Sequence, residues 1–234
     1  MSTTLNYREL QRTGRIAGIV YLIIFLSGLI AEFIIRQSFI NVTNAAGTAG
    51  AIAGNESLFR LSILFDIVMV SSDIAIAALF FRMFRQTSEL LALLALMFRM
   101  TQAVIIAVNL VNLFLAIRLS ASAESSHFSL IFAQAHAIGY TLGMIFFAVN
   151  LIFLGILMIK ADYFPSVLGY FMFVASAGYL TDSFAQVLMT NYHQYADILS
   201  GIVFTPAFIT ELALSLYLII RGARNTHTGL SHNM

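Results

Sequence analysis

Long apolar stretches alternate with short polar connections along this chain. A helix must be about 20 residues long to cross a hydrocarbon layer of roughly 30 Å, at 1.5 Å per residue. Six segments meet that length, at about residues 16–35, 58–81, 90–117, 129–158, 166–189 and 201–220. The third and fourth exceed it, which tilt or extension beyond the bilayer accommodates. The connection over 36–57 is the longest, and its Asn, Gly, Ala and Thr content fits a loop with one short helix. Around Lys160, Asp162 and Pro165 the turn is brief, and the proline suits the start of the next helix. Pro206 leaves two readings open. It either occupies the first turn of a helix starting near Thr205, or interrupts a longer helix and frees a carbonyl near Glu211.

Composition turns this pattern into a fold class. Of 234 residues, 60% are hydrophobic and only 10% are charged, where a soluble domain carries roughly 25%. The mean hydropathy is +0.90. The expected fold is all-α: a polytopic integral membrane protein with a six-transmembrane-helix bundle. The absence of cysteine excludes disulfides and thiolate-bound metals. The run beginning at Ile16 lacks a small-residue cleavage pattern after it, so it is read as the first membrane helix.

The net charge of +1 gives no reason to expect a nucleic-acid partner. The basic residues report orientation instead. Arg8, Arg12, Arg15, Arg82, Arg85, Lys160, Arg221 and Arg224 fall on one side, against Arg36, Arg60 and Arg118 on the other. Eight against three places both termini in the cytoplasm. The expected organisation is a cytoplasmic N-terminal segment over 1–15, one six-helix domain over 16–221 and a flexible cytoplasmic tail over 222–234. The expected location is the cell inner membrane, with the lipid bilayer as the first partner.

Ionisable residues inside the apolar runs are the candidate chemistry: Glu32, Asp66, Asp73, Arg99, His136, Asp182 and Glu211. Such groups are expensive facing lipid and belong in an interior. Counted from the cytoplasmic ends, Asp73, Arg99 and Glu211 share one level, with Asp73 and Arg99 the expected ion pair and Arg99 with Glu211 the next candidate. Gln102 joins them as a structural polar network. Nearer the outside, Glu32, Asp66, Asn109, His136, Asp182 and Gln186 are the candidate ligand-binding residues, with carboxylates and an imidazole suited to a cation, an amine or a proton. Asn112 lies in the same half. Spacing supports shared faces: Asp66 and Asp73 are seven apart, as are Gln102 and Asn109, and Asp182 and Gln186 are four apart. Gly139 and Gly143, and Gly28 beside Glu32, suit close helix packing.

Familiar catalytic motifs are absent. There is no Gly-rich nucleotide loop and no HExxH, and one histidine lies within the apolar helices. The cofactor stays open between a quinone, a haem and none, with haem disfavoured because it normally needs paired axial ligands and His136 stands alone in the apolar helices; no metal site is singled out. Ser72 and Ser183 adjoin acids but lack a nucleophile elbow. The catalytic candidates are His136, Asp66 and Asp182, as an acid–base set acting on a lipid-soluble substrate.

The stretches RIAGIVYLIIF with Ala31 and Glu32, ESLFRLSILFDIVMVSSDIAIA, FRMTQAVIIAVNLVNL, HAIGYTLGMIFFAVNLIFLG, LGYFMFVASAGYLTDSFA and PAFITELALSLYLI occur in order from about Arg15 to Arg221. On them the chain resembles the bacterial family catalogued as domain of unknown function 4386. The resemblance implies a small multi-pass membrane protein with characteristic positions at Glu32, Asp66, Asp73, Arg99, Gln102, Asn109, His136, Asp182 and Glu211, and no catalytic role. Three functional readings follow. The first is an interior that binds a small molecule or cation, which it senses or transports. The second is an intramembrane enzyme, and the third a structural or partner-scaffolding protein whose polar network fixes helix positions.

Overall fold

The computed structural model describes residues 6–223. Residues 224–234, nearly all of the expected tail, and the first five residues lie outside the described residues. The chain is all-helical there, and long apolar helices make it a multi-pass membrane protein. Seven α-helices are described: α1 (Tyr7–Leu29), α2 (Ala45–Gly54), α3 (Glu56–Phe84), α4 (Glu89–Leu119), α5 (Ser126–Lys160), α6 (Ser166–Leu188) and α7 (Ala196–Arg221). The short α2 lies in the long connection.

Among the described residues, five helical stretches are long and apolar enough to cross a membrane: Tyr7–Ser38, Glu56–Phe84, Glu89–Leu119, Ala123–Lys160 and Gly201–Arg221. The expected sixth, α6, has sufficient length at 23 residues. Ser176, Tyr179, Thr181, Asp182 and Ser183 crowd its second half and lower its hydropathy.

The ends of the elements have local causes. Asn6 accepts from the Glu9 amide while the Glu9 side chain accepts from the Asn6 amide, a capping box that starts α1 nine residues before the expected Ile16. Arg8, Arg12 and Arg15 are therefore helical. Asn55 and Ser88 cap α3 and α4 with the side chain alone, accepting from the Leu58 and Leu91 amides. Pro165 precedes α6, and α7 ends at Gly222, whose φ of +64° suits glycine after a helix. Pro206 lies inside α7, which begins at Ala196, so the reading that it starts the helix is corrected.

α1 does not end as an α-helix. It runs into a π-helical turn, Ile30–Ile35, and then a 3₁₀ turn, Arg36–Ser38. The wide turn presents Glu32 and Arg36 to the bundle interior.

The six long helices form a closed ring. Each packs on its chain neighbour, α1 on α3, α3 on α4, α4 on α5, α5 on α6 and α6 on α7, and α7 returns to α1. Their inner faces follow helical spacing. In α3 the buried positions include Phe59, Ser62, Asp66, Val70, Asp73, Ala77, Phe80 and Phe84, so both aspartates lie on one buried stripe. Outside, Leu64, Ile67, Val104, Val108 and Val111 are exposed, as a lipid-facing surface requires.

The end of the ring holding both termini is drawn tight by glycine. A Cβ on Gly14 would lie 2.7 Å from the Ala223 amide nitrogen, and one on Gly18 would lie 2.7 Å from that of Ile219. Gly155 and Gly169 bring α5 and α6 equally close, with a Cβ on Gly155 falling 2.8 Å from the Gly169 carbonyl oxygen. Tyr163 adds a lock, donating to the Met83 carbonyl at 2.8 Å. Toward the other end the ring encloses open volume.

Candidate functional site

A cavity of about 560 Å³ lies inside the ring, within the roughly 300–1,000 Å³ typical of small-molecule sites. Its wall draws on α1, α3, α4, α5, α6 and α7 and on the π-helical turn. Most of it is apolar, with Ile24, Phe25, Met69, Met144, Phe147 and Phe208 among the contributors.

The deeper part carries Asp73, Arg99, Gln102, Tyr179 and Glu211. Arg99 Nε and Nη2 both donate to Asp73 Oδ1, at 2.9 and 2.5 Å, and Gln102 Nε2 donates to Oδ2 at 3.1 Å. The guanidinium carbon lies 4.5 Å from the Phe147 ring centroid and 5.5 Å from that of Tyr21. This cation is thus held by one carboxylate and two aromatic faces. Glu211 is set differently. It is 8% exposed, and its Oε1 accepts from the Tyr179 hydroxyl at 2.8 Å.

The upper part carries Glu32, Arg36, His136, Asp182 and Gln186. Arg36 is 1% exposed and serves two carboxylates. Its Nε donates to Glu32 at 2.8 Å, while Nη1 and Nη2 clamp the two oxygens of Asp66 at 2.5 and 3.2 Å. Asp66 stands behind the wall rather than on it. Asp182 accepts from Gln186 Nε2 at 2.7 Å and from the Tyr192 hydroxyl at 2.8 Å, and Gln186 accepts from Thr141 at 2.7 Å. Tyr192 lies beyond the spanning segments, where burial and then the hydrogen bond to Asp182 push its pKa above the usual tyrosine value.

His136 meets an asparagine. Asn109 Nδ2 donates to the His136 carbonyl at 2.7 Å and lies 3.1 Å from the ring Nδ1. The carbonyl contact fixes the amide with its NH₂ toward His136, and Nδ1 also lies 3.5 Å from the Asn109 backbone carbonyl, so the ring tautomer sets whether Nδ1 accepts from the amide or donates to the carbonyl. Asn112 then donates to Asn109 Oδ1 at 2.8 Å. Nε2 of His136, Oε1 of Gln102 and the Tyr21 hydroxyl are buried without a hydrogen-bond partner among the described residues.

Two layers separated in sequence by depth therefore border one volume. Asp66 and Asn109, expected at a ligand, form a support behind the wall, while Glu211, expected as structural, lies on it. The acid–base set does not assemble by hydrogen bonding, because His136 is bound to Asn109, Asp66 to Arg36, and Asp182 to Gln186 and Tyr192. Among the described residues, no group of three or more His, Asp or Glu side chains could hold a metal ion.

Arg36, Tyr179 and Tyr140, a wall residue whose hydroxyl donates to the Met69 sulfur at 3.9 Å, are not among the residues singled out from sequence. Arg36 reads as an outer-surface charge, although its spacing of four from Glu32 signals a shared face.

Ring and cavity define a class: a multi-pass helical membrane protein with an internal polar region. The chain belongs to the family described as Domain of unknown function (DUF4386), which it matches over residues 16–222. It is also similar to an uncharacterized protein of the archaeon Archaeoglobus fulgidus, with 34% identity over 83 residues, covering 36% of this chain and 46% of that relative. The match thus spans about half the relative's length. No solved structure matches the chain.

Proposed function

We propose that this protein crosses a bacterial inner membrane six times, with both termini in the cytoplasm, and binds a small molecule or cation that it senses or transports. One observation carries the reading: the cavity of about 560 Å³ whose apolar wall holds ionisable groups from five α-helices and from the turns that follow α1. A helix bundle selected only for stability would fill that volume, since interiors are otherwise close-packed. The burial of Arg36 supports the orientation by removing one charge from the outer count, leaving Arg60 and Arg118. Inclusion of α6 as a spanning helix rests on its place between α5 and α7 in the ring, where Tyr179, Asp182, Ser183 and Gln186 turn to the cavity.

The test is a thermal-shift screen of small molecules on the purified protein, repeated with Ala137→Trp. Ala137 is an exposed residue on the cavity wall, so the indole fills space without displacing core packing. Compounds that stabilise the wild type should lose that effect in the variant. Undiminished stabilisation by every such compound would place their binding elsewhere and remove the reading.

A further inference from the structure

We infer that Glu211 is the counter-ion for an organic cation, so that the cavity takes a lipophilic monovalent cation, such as a hydrophobic amine or onium ion. This rests on the cavity being a ligand site. The wall carries four carboxylates, Glu32, Asp73, Asp182 and Glu211, against two guanidiniums, Arg36 and Arg99. Both guanidiniums are already committed, Arg99 to Asp73 and Arg36 to Glu32 together with Asp66 behind the wall. No positive charge is left over for an anionic ligand.

The carboxylates differ in what they have available. Asp73 is engaged on both oxygens, and so is Asp182. Glu32 shares Arg36, and its side chain is 41% exposed. Glu211 alone of the four combines burial with an open oxygen. Tyr179 occupies Oε1, Oε2 accepts no hydrogen bond, and no cation lies within ion-pair distance of it among the described residues. A buried carboxylate left in that state is costly unless something neutralises it.

The surroundings specify the rest of the ligand. Phe147 gives one face to Arg99 and meets Tyr179 edge to face at 5.3 Å, which leaves Tyr179 together with Phe25 and Phe208, 4.7 Å apart, as the further aromatic rings lining the cavity with Glu211. Aromatic faces attract a cation without the strong hydration that a metal ion demands. A bulky, weakly hydrated organic cation satisfies both the charge and the apolar wall, whereas a small inorganic ion would find one free oxygen and no coordinating shell. Phe33, Phe208 and Ile209 are wall residues that are also exposed, a route suited to a ligand arriving from lipid.

Tetraphenylphosphonium and tetraphenylborate are near-isosteric ions of opposite charge and serve as probes. Equilibrium dialysis of the purified full chain in detergent should show tetraphenylphosphonium bound at least about tenfold more tightly than tetraphenylborate, corresponding to roughly 1.4 kcal/mol. Glu211→Gln, which keeps the shape, should abolish that preference, and Tyr179→Phe should retain it. Equal binding of the two probes, preference for the borate, or no phosphonium binding by the wild type would overturn the inference. So would a Glu211→Gln variant that still prefers the phosphonium. If Glu211→Gln does not fold, labelling of the wild type by a lipid-soluble carbodiimide decides the matter: tetraphenylphosphonium should protect Glu211 from modification, and undiminished labelling at Glu211 would overturn the inference. Screening compounds blocked by Ala137→Trp, alongside an absent charge preference, would leave the ligand cavity standing and remove Glu211 alone.

Discussion

Arg99 places two of its donors on a single oxygen of Asp73, at 2.9 and 2.5 Å, and leaves the other oxygen to Gln102. The pair is buried on the inner faces of α3 and α4. Removing one partner strands the other charge, at a cost of about 3–5 kcal/mol. Asp73→Arg and Arg99→Asp should each lower the folded yield sharply, and the double exchange should recover part of it. Size-exclusion profiles and melting temperatures in detergent read this out. A double variant no better than the worse single would argue against direct pairing.

Arg36 is shared unequally. Asp66 is 1% exposed and takes two of its donors, whereas the Glu32 side chain is 41% exposed and takes one. Asp66→Asn should therefore destabilise more than Glu32→Gln. A difference of at least about 1 kcal/mol is expected, because exposed pairs contribute about 0–1 kcal/mol. Reversal of that order in melting temperature would contradict the geometry.

The glycine contacts predict a gradient along the ring. Gly18→Leu sets a side chain against the backbone of α7 and should prevent tight packing there, costing more than the roughly 1–3 kcal/mol of ordinary overpacking. Gly28→Ala meets only the Met69 sulfur, at 3.1 Å, and should be tolerated within about 1 kcal/mol. Expression and melting of the two variants compare the tight end with the cavity end directly.

Tyr163, in the connection between α5 and α6, has its pKa raised by burial, opposed by its hydrogen bond with Thr87. The folded state then keeps a proton that the unfolded chain releases near pH 10.0. Its contribution to stability is complete below that pH and is lost as pH rises toward the folded value. Melting temperatures should fall above about pH 10, and Tyr163→Phe should flatten part of the fall. An unchanged slope would show that this phenol does not take part.

Five of the six long helices were legible because length and hydropathy dominate a membrane fold, α6 by its length, and the Asp73 and Arg99 depths were legible because each helix is a ruler of fixed rise. Side-chain reach was not. Arg36 sits at the end of its helix, where a charge ordinarily faces water, and only the bundle shows its guanidinium turned inward to Asp66. Glu211 shared a level with Arg99, which suggested partnership, yet rotation about α7 gives it Tyr179 instead. Depth follows from counting residues, whereas azimuth depends on packing. Pro206 shows the same limit: proline is compatible with both a start and an interior, and the long N-terminal extension of α7 decided between them.

The wide turn Ile30–Ile35 sets that azimuth for everything after it on the first spanning segment. A π-helical turn takes up one residue more than an α-helical turn over nearly the same rotation, so rewinding the same residues as ordinary α-helix would rotate Arg36 by about 100° and swing its guanidinium off Asp66. Deleting one residue from the turn would, by contrast, leave that azimuth nearly unchanged. The polar interior thus depends on the winding of this turn more than on its length.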